Sequence, residues 1–428
     1  MTYAEALAYL HSLSQFGFQP GLEKTRRLAA AVGNPQERLR FLHVAGTNGK
    51  GSTCAFLESI YRTSGLRTGL YTSPHLVRFG ERIQVDRQAI PDPDLARLVT
   101  MLRERVPAGP EPTFFEFTTI LALLWFEEQK VDLVVWETGL GGRLDATNVV
   151  TPLASVITQV GLDHQQVLGS TLGEIAAEKA GILKPGVPVV TAADHPDAQA
   201  VIEFRARELD CHCVSVGASA VSRMILPISL LGPHQRTNAA LAAATVRLLR
   251  AILPVQDEHL ARGLATTVWA GRMQVVHRGS QTWLLDGAHN REGVAAFRKA
   301  LTTEFAGRHP VLLTGMLRDK PWREMLLDLA PLASRLVVAP VASARAVSPE
   351  ELREALREGG SPRAVRVCGT VAEALRAVST EPFVAVTGSL YFIGEVMERL
   401  GIEPGAPGDE RGLNEWGGGT GPGTFHHR

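Results

Sequence analysis

A glycine-rich segment near the start of the chain has the residue types of a phosphate-binding loop. Gly46-Thr47-Asn48-Gly49-Lys50-Gly51-Ser52-Thr53 follows the apolar run Phe41–Ala45 and precedes a stretch with helical spacing. Glycines let backbone N–H groups converge on anionic oxygens, a helix N-terminus adds positive potential, and Lys50 adds a point charge. The glycine spacing departs from the plain P-loop pattern. The order of strand, lysine, hydroxyl and helix nevertheless favours a nucleotide-phosphate site over a structural turn.

Three further polar side chains stand where predicted strands end. Glu137 ends the apolar run Val131–Trp136, and Ser73 and His164 follow the predicted strands before and after it. Because α/β sheets bind ligands at the carboxyl ends of their strands, these groups predict a joint site able to bind Mg²⁺. Taken singly, Ser73 could mark a turn and His164 could be structural. Glu137 could instead cap a helix or pair with Arg143.

The second half of the chain carries its own polar segment at a strand end. Asp286-Gly287-Ala288-His289-Asn290 follows the predicted strand Thr282–Leu285. Such a short polar run could be only a turn. Its position at a carboxyl end also suits the binding of a second substrate, and Arg272 could reach across the cleft.

The lysines are few enough to be informative. Seven of the 44 Lys and Arg residues are lysines, so the chain uses Arg wherever positive charge alone is needed. A lysine in such a chain is a candidate for a compact ammonium or a reactive amine. Lys50, Lys179, Lys184 and Lys320 all lie in motif-like stretches.

The apolar runs and the spacing between them predict the elements that position these groups. Short apolar runs alternate with stretches of helical spacing, as in doubly wound α/β domains, and a second such series begins after Arg272. We therefore predict an α/β domain over residues 1–272 and a smaller one over residues 273–402. The Gly/Pro-rich residues 403–428 are expected to form a disordered tail.

Composition excludes several functional classes. The formal net charge is zero, with 44 basic and 44 acidic residues, so no global basic field predicts nucleic-acid or membrane binding. No apolar run approaches the ~18 residues of a membrane span, and the N-terminus does not resemble a signal peptide. Four cysteines form no disulfide framework; Cys211 and Cys213 flank His212, but a zinc site needs four ligands. A cytoplasmic protein, most simply a monomer, is expected.

Further motifs accompany the phosphate loop, in order, from about residue 21 to about residue 400. They are TSPHL (72–76), ERI (81–83), TFFEFTT (113–119), ETGLGGRLDATN (137–148), GLDH (161–164), EKAGI (178–182), GPHQRTNA (232–239), WAGR (269–272), DGAHN (286–290) and GSLYFIGEV (388–396). With these motifs the chain resembles the folylpolyglutamate synthase/dihydrofolate synthase family, a branch of the Mur-type ATP-dependent amide ligases. ETGLGGRLDATN and EKAGI are more specific to the folate branch than the phosphate loop.

The resemblance implies roles for individual residues. It implies a P-loop-containing Mur-ligase-type ATPase domain followed by a Rossmann-like α/β domain. Lys50, Lys179 and His289 would be catalytic, with Lys179 matching a lysine that the family carbamylates. Ser73, Glu137 and His164 match Mg²⁺ ligands, and a monovalent cation such as K⁺ is a further expected ion. The nucleotide-contacting positions are Thr47, Asn48, Gly49, Lys50, Gly51, Ser52, Asn238, Arg272 and Asp286. The substrate-binding positions are residues 17–20, Thr113, Phe114, Phe115, Arg143, Leu144 and Asp145, with His289 and Ser389 near the incoming glutamate.

The implied reaction is the addition of L-glutamate to dihydropteroate, to reduced folates, or to both. ATP would phosphorylate the acceptor carboxylate, and the glutamate amine would displace phosphate from the acyl phosphate. The expected partners are therefore small molecules: ATP, L-glutamate and a pterin-containing acceptor. One alternative is another Mur-type amino-acid ligase, although only 45 residues precede Gly46 and a UDP-binding domain needs about 100. A non-catalytic P-loop switch is the other alternative.

Overall fold

A computed structural model describes residues 1–14, 17, 19–402 and 410–414. Over these residues the chain forms two α/β units, each built on a mostly parallel sheet. The fold class predicted from sequence is therefore confirmed. The boundaries at 272 and 402 stay a prediction, although the first sheet ends at Ser215 and the second begins at Gln274.

The first sheet has eight strands in the order β4-β3-β2-β5-β1-β6-β7-β8. Its strands are β1 (Phe41–Ala45), β2 (Thr68–Tyr71), β3 (Ile83–Val85), β4 (Gln88–Ala89), β5 (Leu133–Glu137), β6 (Ala154–Ile157), β7 (Val189–Thr191) and β8 (Cys213–Ser215). Its helices are α1 (Tyr3–Ser14), α2 (Glu23–Ala31), α3 (Lys50–Thr63), α4 (Asp92–Glu104), α5 (Phe114–Glu128), α6 (Gln165–Leu168), α7 (Leu172–Ala180), α8 (Pro196–Glu208), α9 (Ala218–Ser222), α10 (Pro233–Leu248) and α11 (Asp257–Thr266).

The central strands of this sheet are buried on both faces. β5, β1 and β6 are parallel neighbours, and every residue of the three is buried. Helices α1, α4 and α5 contribute to the core on one face, and α3, α10 and α11 to the core on the other. This double coverage explains the near-continuous apolar runs, because such a strand has no solvent side. Because β2, β5, β1 and β6 are parallel neighbours in this order, their carboxyl ends lie side by side.

The second sheet has six strands in the order β13-β12-β11-β14-β10-β9, all parallel except the edge strand β9. Its strands are β9 (Gln274–Arg278), β10 (Gln281–Leu285), β11 (Val311–Thr314), β12 (Arg335–Val338), β13 (Val365–Val367) and β14 (Phe383–Thr387). Its helices are α12 (Arg291–Glu304), α13 (Trp322–Leu329), α14 (Pro349–Glu358), α15 (Val371–Ala377) and α16 (Leu390–Arg399).

The sequence analysis did not predict four of the strands, namely β3, β4, β8 and β9. All four lie at or next to a sheet edge and are only two to five residues long. β9 reads Gln-Val-Val-His-Arg and is half-buried to exposed, so it lacks the apolar run that marks the central strands. β4, β8 and β9 are edge strands, paired on one side only, so their residue types report their position weakly, and β3 has only three residues to show a pattern.

The expected disorder of residues 403–428 is wrong for its middle part. Residues 410–414 are packed, with Arg411–Asn414 in a 3₁₀ turn and Glu410, Leu413 and Asn414 buried. Polar hydrogen bonds hold this segment in place, and a composition argument based on apolar content does not register them. The rest of the predicted tail, residues 403–409 and 415–428, lies outside the described residues.

None of the described helices combines the length and the apolar character that crossing a bilayer requires.

Candidate active site

One cavity of about 500 Å³ lies between the two units and contains most of the predicted site residues. The first unit contributes the strand ends of its sheet, and the second contributes the segments after β10 and β14. The predicted residues that line it are Gly17, Gln19, Thr47, Asn48, Gly49, Lys50, Gly51, Ser52, Ser73, Thr113, Phe114, Phe115, Glu137, Leu144, Asp145, His164, Lys179, Asn238, Arg272, Asp286, His289 and Ser389.

The glycine-rich segment connects β1 to α3 in a conformation that needs glycine. Gly46 and Gly49 have φ angles of 153° and 88°. A Cβ on Gly46 would lie 1.7 Å from Thr158 Oγ1, and one on Gly49 would lie 2.4 Å from Asn238 Oδ1. The loop therefore leaves its backbone open toward the cavity at the start of α3, as a phosphate cradle requires.

Two lysines converge on one carbonyl of this loop. Lys50 Nζ lies 3.1 Å from Gly46 O and 3.3 Å from Thr47 O, while Lys179 Nζ lies 2.9 Å from Gly46 O. Lys179 is buried in α7, and burial together with the charge of Lys50 lowers its pKa to about 7. A substantial fraction of Lys179 is thus an uncharged, nucleophilic amine near neutral pH.

Glu137 is a buried carboxyl group at the end of β5. Its Oε2 accepts a hydrogen bond of 3.1 Å from the Ser73 backbone N–H, which follows β2. Burial raises the pKa of Glu137 to about 7, although Lys50 and Arg272 act in the opposite direction. The suggested pairing of Glu137 with Arg143 is wrong, because Arg143 instead bonds Glu178 at 2.6 Å.

His164 lies at the same edge, after β6, but with a lysine beside it. Lys320 belongs to the second unit, and its Nζ lies 3.4 Å from His164 Nε2. The same Nζ donates a hydrogen bond of 2.6 Å to Asp163 Oδ1. Burial and the charge of Lys320 lower the pKa of His164 to about 4, so its ring is neutral at pH 7. Burial opposes ionisation of Asp163, but Lys320 outweighs it and holds the pKa of Asp163 below its usual range.

The donor set at this edge fits a Mg²⁺ ion. A buried carboxylate beside a serine offers the oxygen donors that Mg²⁺ prefers, and a bound cation would compensate the cost of burying Glu137 in ionised form. The neutral ring of His164 can contribute an uncharged nitrogen. We find no cluster of three or more His, Cys, Asp or Glu ligands among the described residues, so a metal here would also need water or substrate oxygens.

The second unit presents His289 and Ser389 to the cavity. His289 Nδ1 donates to Gly287 O at 2.7 Å, which leaves Nε2 as a proton acceptor. Burial lowers the pKa of His289 to about 4 and keeps the ring neutral. Ser389 precedes α16, and its buried hydroxyl has no hydrogen-bond partner among the described residues. A buried hydroxyl without a partner at a helix N-terminus is suited to an anionic ligand.

The two units meet directly above the phosphate loop. Asn48 Nδ2 donates to Asn290 Oδ1 at 3.3 Å, and Asn290 Nδ2 donates to Asn48 Oδ1 at 3.1 Å. Asn290 Nδ2 also lies 3.0 Å from Asp163 Oδ2, and its Oδ1 caps the start of α12. One amide side chain therefore connects the loop, the end of β6 and a helix of the second unit.

Two predicted ligand-binding carboxylates already have backbone partners. Asp286 accepts hydrogen bonds from the Met273 and Ala288 N–H groups at 2.8 and 3.0 Å. Asp145 accepts from Leu140 N at 2.8 Å and from Thr147 N at 3.0 Å. Both side chains shape the loops that line the cavity, and burial raises the pKa of each.

Aromatic side chains at the start of α5 form part of the cavity lining, here called the aromatic wall. Thr113 caps α5 through reciprocal bonds with Glu116, which places Phe114 and Phe115 on the first turn, facing the cavity. The Phe115 ring packs against Gly139, where a Cβ would lie 2.5 Å from it. The Arg82 guanidinium lies 5.2 Å from the centre of the Phe114 ring. A flat aromatic ligand with a negative charge fits this wall.

Two residues that the sequence analysis placed in the site, Pro20 and Arg143, do not line the cavity, and Phe18 lies outside the described residues. The Arg143 side chain is 58% exposed and is held by Glu178. Other residues without a predicted role also line the cavity, among them Arg82, Asp163 and Lys320. The scarcity of lysines already singled out Lys320, and Asp163 and Arg82 lie within quoted motifs.

Comparisons with known proteins agree with this architecture. The family models for the Mur ligase middle domain and for the Mur ligase glutamate ligase domain match residues 44–223 and 271–390. The dihydrofolate synthase/folylpolyglutamate synthase of Bacillus subtilis is 37% identical over 93% of this chain and 99% of its own length. The folylpolyglutamate synthase of Lacticaseibacillus casei is 35% identical over 94% of this chain and 99% of its own length.

Solved structures give the same result. Mycobacterium tuberculosis folylpolyglutamate synthase, complexed with ADP and AMPPCP, has a TM-score of 0.85 at 28% identity, covering 94% of this chain and all of its own. E. coli FolC in complex with DHPP and ADP has a TM-score of 0.82 at 30% identity, covering 94% of this chain and 98% of its own. With matched fold, motifs and full-length similarity, the chain belongs to the folylpolyglutamate synthase/dihydrofolate synthase family of Mur-type ligases.

Proposed function

We propose that this chain catalyses the ATP-dependent addition of L-glutamate to dihydropteroate, to reduced folates, or to both. The observation that carries the proposal is the shared cavity, in which the phosphate loop, the aromatic wall and the segments after β10 and β14 face one another. An acceptor carboxylate and a phosphoryl donor have to meet in such a space, and the amine has to enter from a third side. The relatives' names and bound ligands support the same reaction.

The phosphate loop and Lys50 hold the triphosphate in this proposal. Backbone N–H groups at the start of α3 bind the phosphates, and Lys50 exchanges its carbonyl partners for phosphate oxygens. Asn238, above Gly49, and Arg272, beside Asp286, border the nucleotide. Removing one well-placed charge stabiliser of this kind typically costs about 10²–10³ in rate.

Ser73, Glu137 and His164 hold Mg²⁺ in this proposal, which reduces the repulsion between the acceptor carboxylate and the γ-phosphoryl group. Lys179 carries a carbamate. Its neutral amine attacks the carbon of CO₂, an N–C bond forms as one C=O π bond opens onto oxygen, and the amine loses a proton to solvent. The buried amine thereby becomes an anion close to Lys50, which balances the positive charge around Gly46.

The second unit supplies the groups for the amine. The acceptor carboxylate attacks the γ-phosphorus of ATP, the bond to the β-phosphate oxygen breaks, and ADP leaves. The glutamate nitrogen then attacks the carbonyl carbon of the acyl phosphate and expels phosphate. His289 Nε2 accepts the proton released by the amine, and the start of α16 with Ser389 binds a glutamate carboxylate. The Asn48–Asn290 pair closes the cleft over the reactants and limits hydrolysis of the acyl phosphate.

A phosphate-release assay tests the proposal. The purified protein is given ATP, Mg²⁺ and L-glutamate with either dihydropteroate or tetrahydrofolate, and product is identified by mass. Glutamate-dependent phosphate release with either acceptor supports the function, and the ratio of the two rates defines the acceptor preference. ATP turnover without a glutamylated product would favour a nucleotide switch. We further propose a cytoplasmic monomer, which fractionation and light scattering would test.

A further inference from the structure

The packed segment Glu410–Asn414, here called the C-terminal clasp, contacts both units. Toward the first unit, Glu410 and Asn414 bond residues of the loop after β2. Toward the second unit, Arg411 pairs with Glu398 of α16, and the Asn414 carbonyl accepts a hydrogen bond of 2.5 Å from Tyr391. Leu413 is 1% exposed and belongs to the same core cluster as helices α1, α4 and α5.

Glu410 anchors the clasp to the first unit. Its carboxylate accepts a bond of 2.5 Å from the Phe79 N–H and lies 3.7 Å from Arg78 Nε. Its backbone carbonyl lies 2.8 Å from His75 Nε2, and the other ring nitrogen of His75 lies 2.8 Å from Arg82 Nε. A carbonyl on one side and an N–H donor on the other select the neutral Nε2–H tautomer of His75.

Asn414 is the clasp residue that bonds Arg82 directly. Its Oδ1 accepts from Arg82 Nη2 at 2.5 Å, and its Nδ2 donates to the His75 carbonyl at 3.0 Å. Arg82 is therefore fixed on its Nε edge by His75 and on one Nη by the clasp. Its guanidinium lies over the Phe114 ring at 5.2 Å, and Arg82, Phe114, Leu413 and Asn414 all line the cavity.

We infer that the C-terminal clasp is a positioning element of the acceptor site, holding Arg82 against Phe114 so that together they bind the ring and the negative charge of the acceptor. This inference rests on the proposed function. Asn414 uses both polar atoms of its amide on Arg82 and His75, so it acts through Arg82 and is a positioning residue. A free arginine side chain would lose rotamer entropy on binding, and the clasp removes that cost in advance.

The position of Arg82 fits an acceptor with a carboxylate at one end. Arg82 is buried, and its charge acts on the Glu137 carboxyl at the neighbouring strand end. Arg82 thus contacts the aromatic wall and also acts on the Glu137 carboxyl, the two features that the ring and the reacting carboxylate of the acceptor have to reach. In the proposed function ATP binds after β1, which pairs with β5 on the side away from β2.

Equilibrium binding of dihydropteroate and tetrahydrofolate to the full chain, without ATP, tests the inference. Asn414→Leu is expected to weaken acceptor binding at least tenfold while the Kd for Mg·ADP stays within twofold. Asn414→Asp keeps an oxygen for Arg82. Its change in log Kd for the acceptor is expected to be no more than half of the change in Asn414→Leu. If Asn414→Leu does not fold, Asn414→Ala is measured instead, because alanine adds no bulk. The same loss of acceptor affinity, at least tenfold, is expected.

One control variant separates positioning from general stability. Gln281→Leu removes a partly buried amide that bonds two carbonyls far from the cavity. This variant is expected to bind the acceptor within twofold of wild type. Wild-type acceptor affinity in Asn414→Leu, or an equal loss of Mg·ADP affinity, would overturn the inference and leave the proposed function intact. A wild-type protein that binds neither acceptor would overturn both.

Discussion

Lys50 and Lys179 donate to the same backbone carbonyl, that of Gly46, at 3.1 and 2.9 Å. Two ammonium groups so close together in a buried place repel each other, and the deeper one, Lys179, has its pKa lowered to about 7, first by burial and then by Lys50. Only a lysine can respond to this position by giving up its proton, since arginine stays charged. The relationship makes Lys179 a candidate for reaction with CO₂.

We expect Lys179→Ala to be inactive and to regain partial activity with a short-chain carboxylic acid, which replaces the missing carbamate. Lys179→Arg is expected to stay inactive, although it keeps the positive charge. Ligation rates with and without acetate give the measurement. Lys184→Arg is a matched control, since Lys184 bonds Asn148 outside the cavity. An active Lys179→Arg enzyme would show that the lysine acts only as a cation.

The lowered pKa of Lys179 also predicts how stability changes with pH. Between pH 7 and its unperturbed value of 10.5, the unfolded chain binds a proton that the folded chain does not, so stability rises with pH in this window. Lys179→Met lacks this contribution. In CO₂-free buffer its free energy of unfolding should exceed that of wild type most at pH 7, with the difference shrinking by up to roughly 1.4 kcal/mol per pH unit. A difference independent of pH from denaturant titrations would contradict the assignment.

Lys50→Ala is expected to lower the ligation rate by about 10²–10³ at saturating ATP while the protein stays folded. The Lys50 amine bonds only carbonyls of its own loop among the described residues, so its removal leaves the core intact. Phosphate release and thermal unfolding measure the two effects. Near-wild-type activity would refute the phosphate-loop assignment.

Glu137→Gln is expected to raise the Mg²⁺ concentration needed for half-maximal activity at least tenfold. The amide keeps an oxygen for the Ser73 N–H but cannot supply the charge that Mg²⁺ requires. Glu58→Gln is the matched control, because Glu58 is also buried with a raised pKa but lies outside the cavity. An unchanged Mg²⁺ titration in Glu137→Gln would make this carboxylate purely structural.

Gly49→Ala and Gly33→Ala separate backbone strain from crowding in the phosphate loop. Both glycines have φ near 85°, at 88° and 83°, but only a Cβ on Gly49 meets another atom, Asn238 Oδ1 at 2.4 Å. Gly33→Ala should cost about 1–2 kcal/mol for the left-handed backbone alone. Gly49→Ala should lower the free energy of unfolding, measured by chemical denaturation, by more than Gly33→Ala does. Gly49→Ala should also weaken ATP binding, whereas Gly33→Ala should leave ATP binding unchanged. Equal costs would mean that Asn238 simply moves aside.

Much of the lining of the cavity was predictable because parallel α/β sheets gather their strand ends at one edge. Local apolar runs identified β1, β2, β5 and β6 as buried strands, and the residues directly after them could then be assigned to a common place without knowledge of the tertiary contacts. The same reasoning located the segment after β10. Short local patterns suffice here, since each residue's position depends on its own strand and the rule of the sheet.

The partners of these residues were decided only by tertiary structure. Arg143 is close to Glu137 in sequence, yet it bonds Glu178, because the turn after β5 directs it outward to the end of α7. Asp163 and Lys320 are 157 positions apart and meet only because the two units face each other. The C-terminal clasp is polar and glycine-flanked, so its composition predicts disorder, while hydrogen bonds to His75 and Arg82 hold it in place. Periodicity reports which face of an element is buried, whereas pairing across the chain depends on geometry that no local pattern contains.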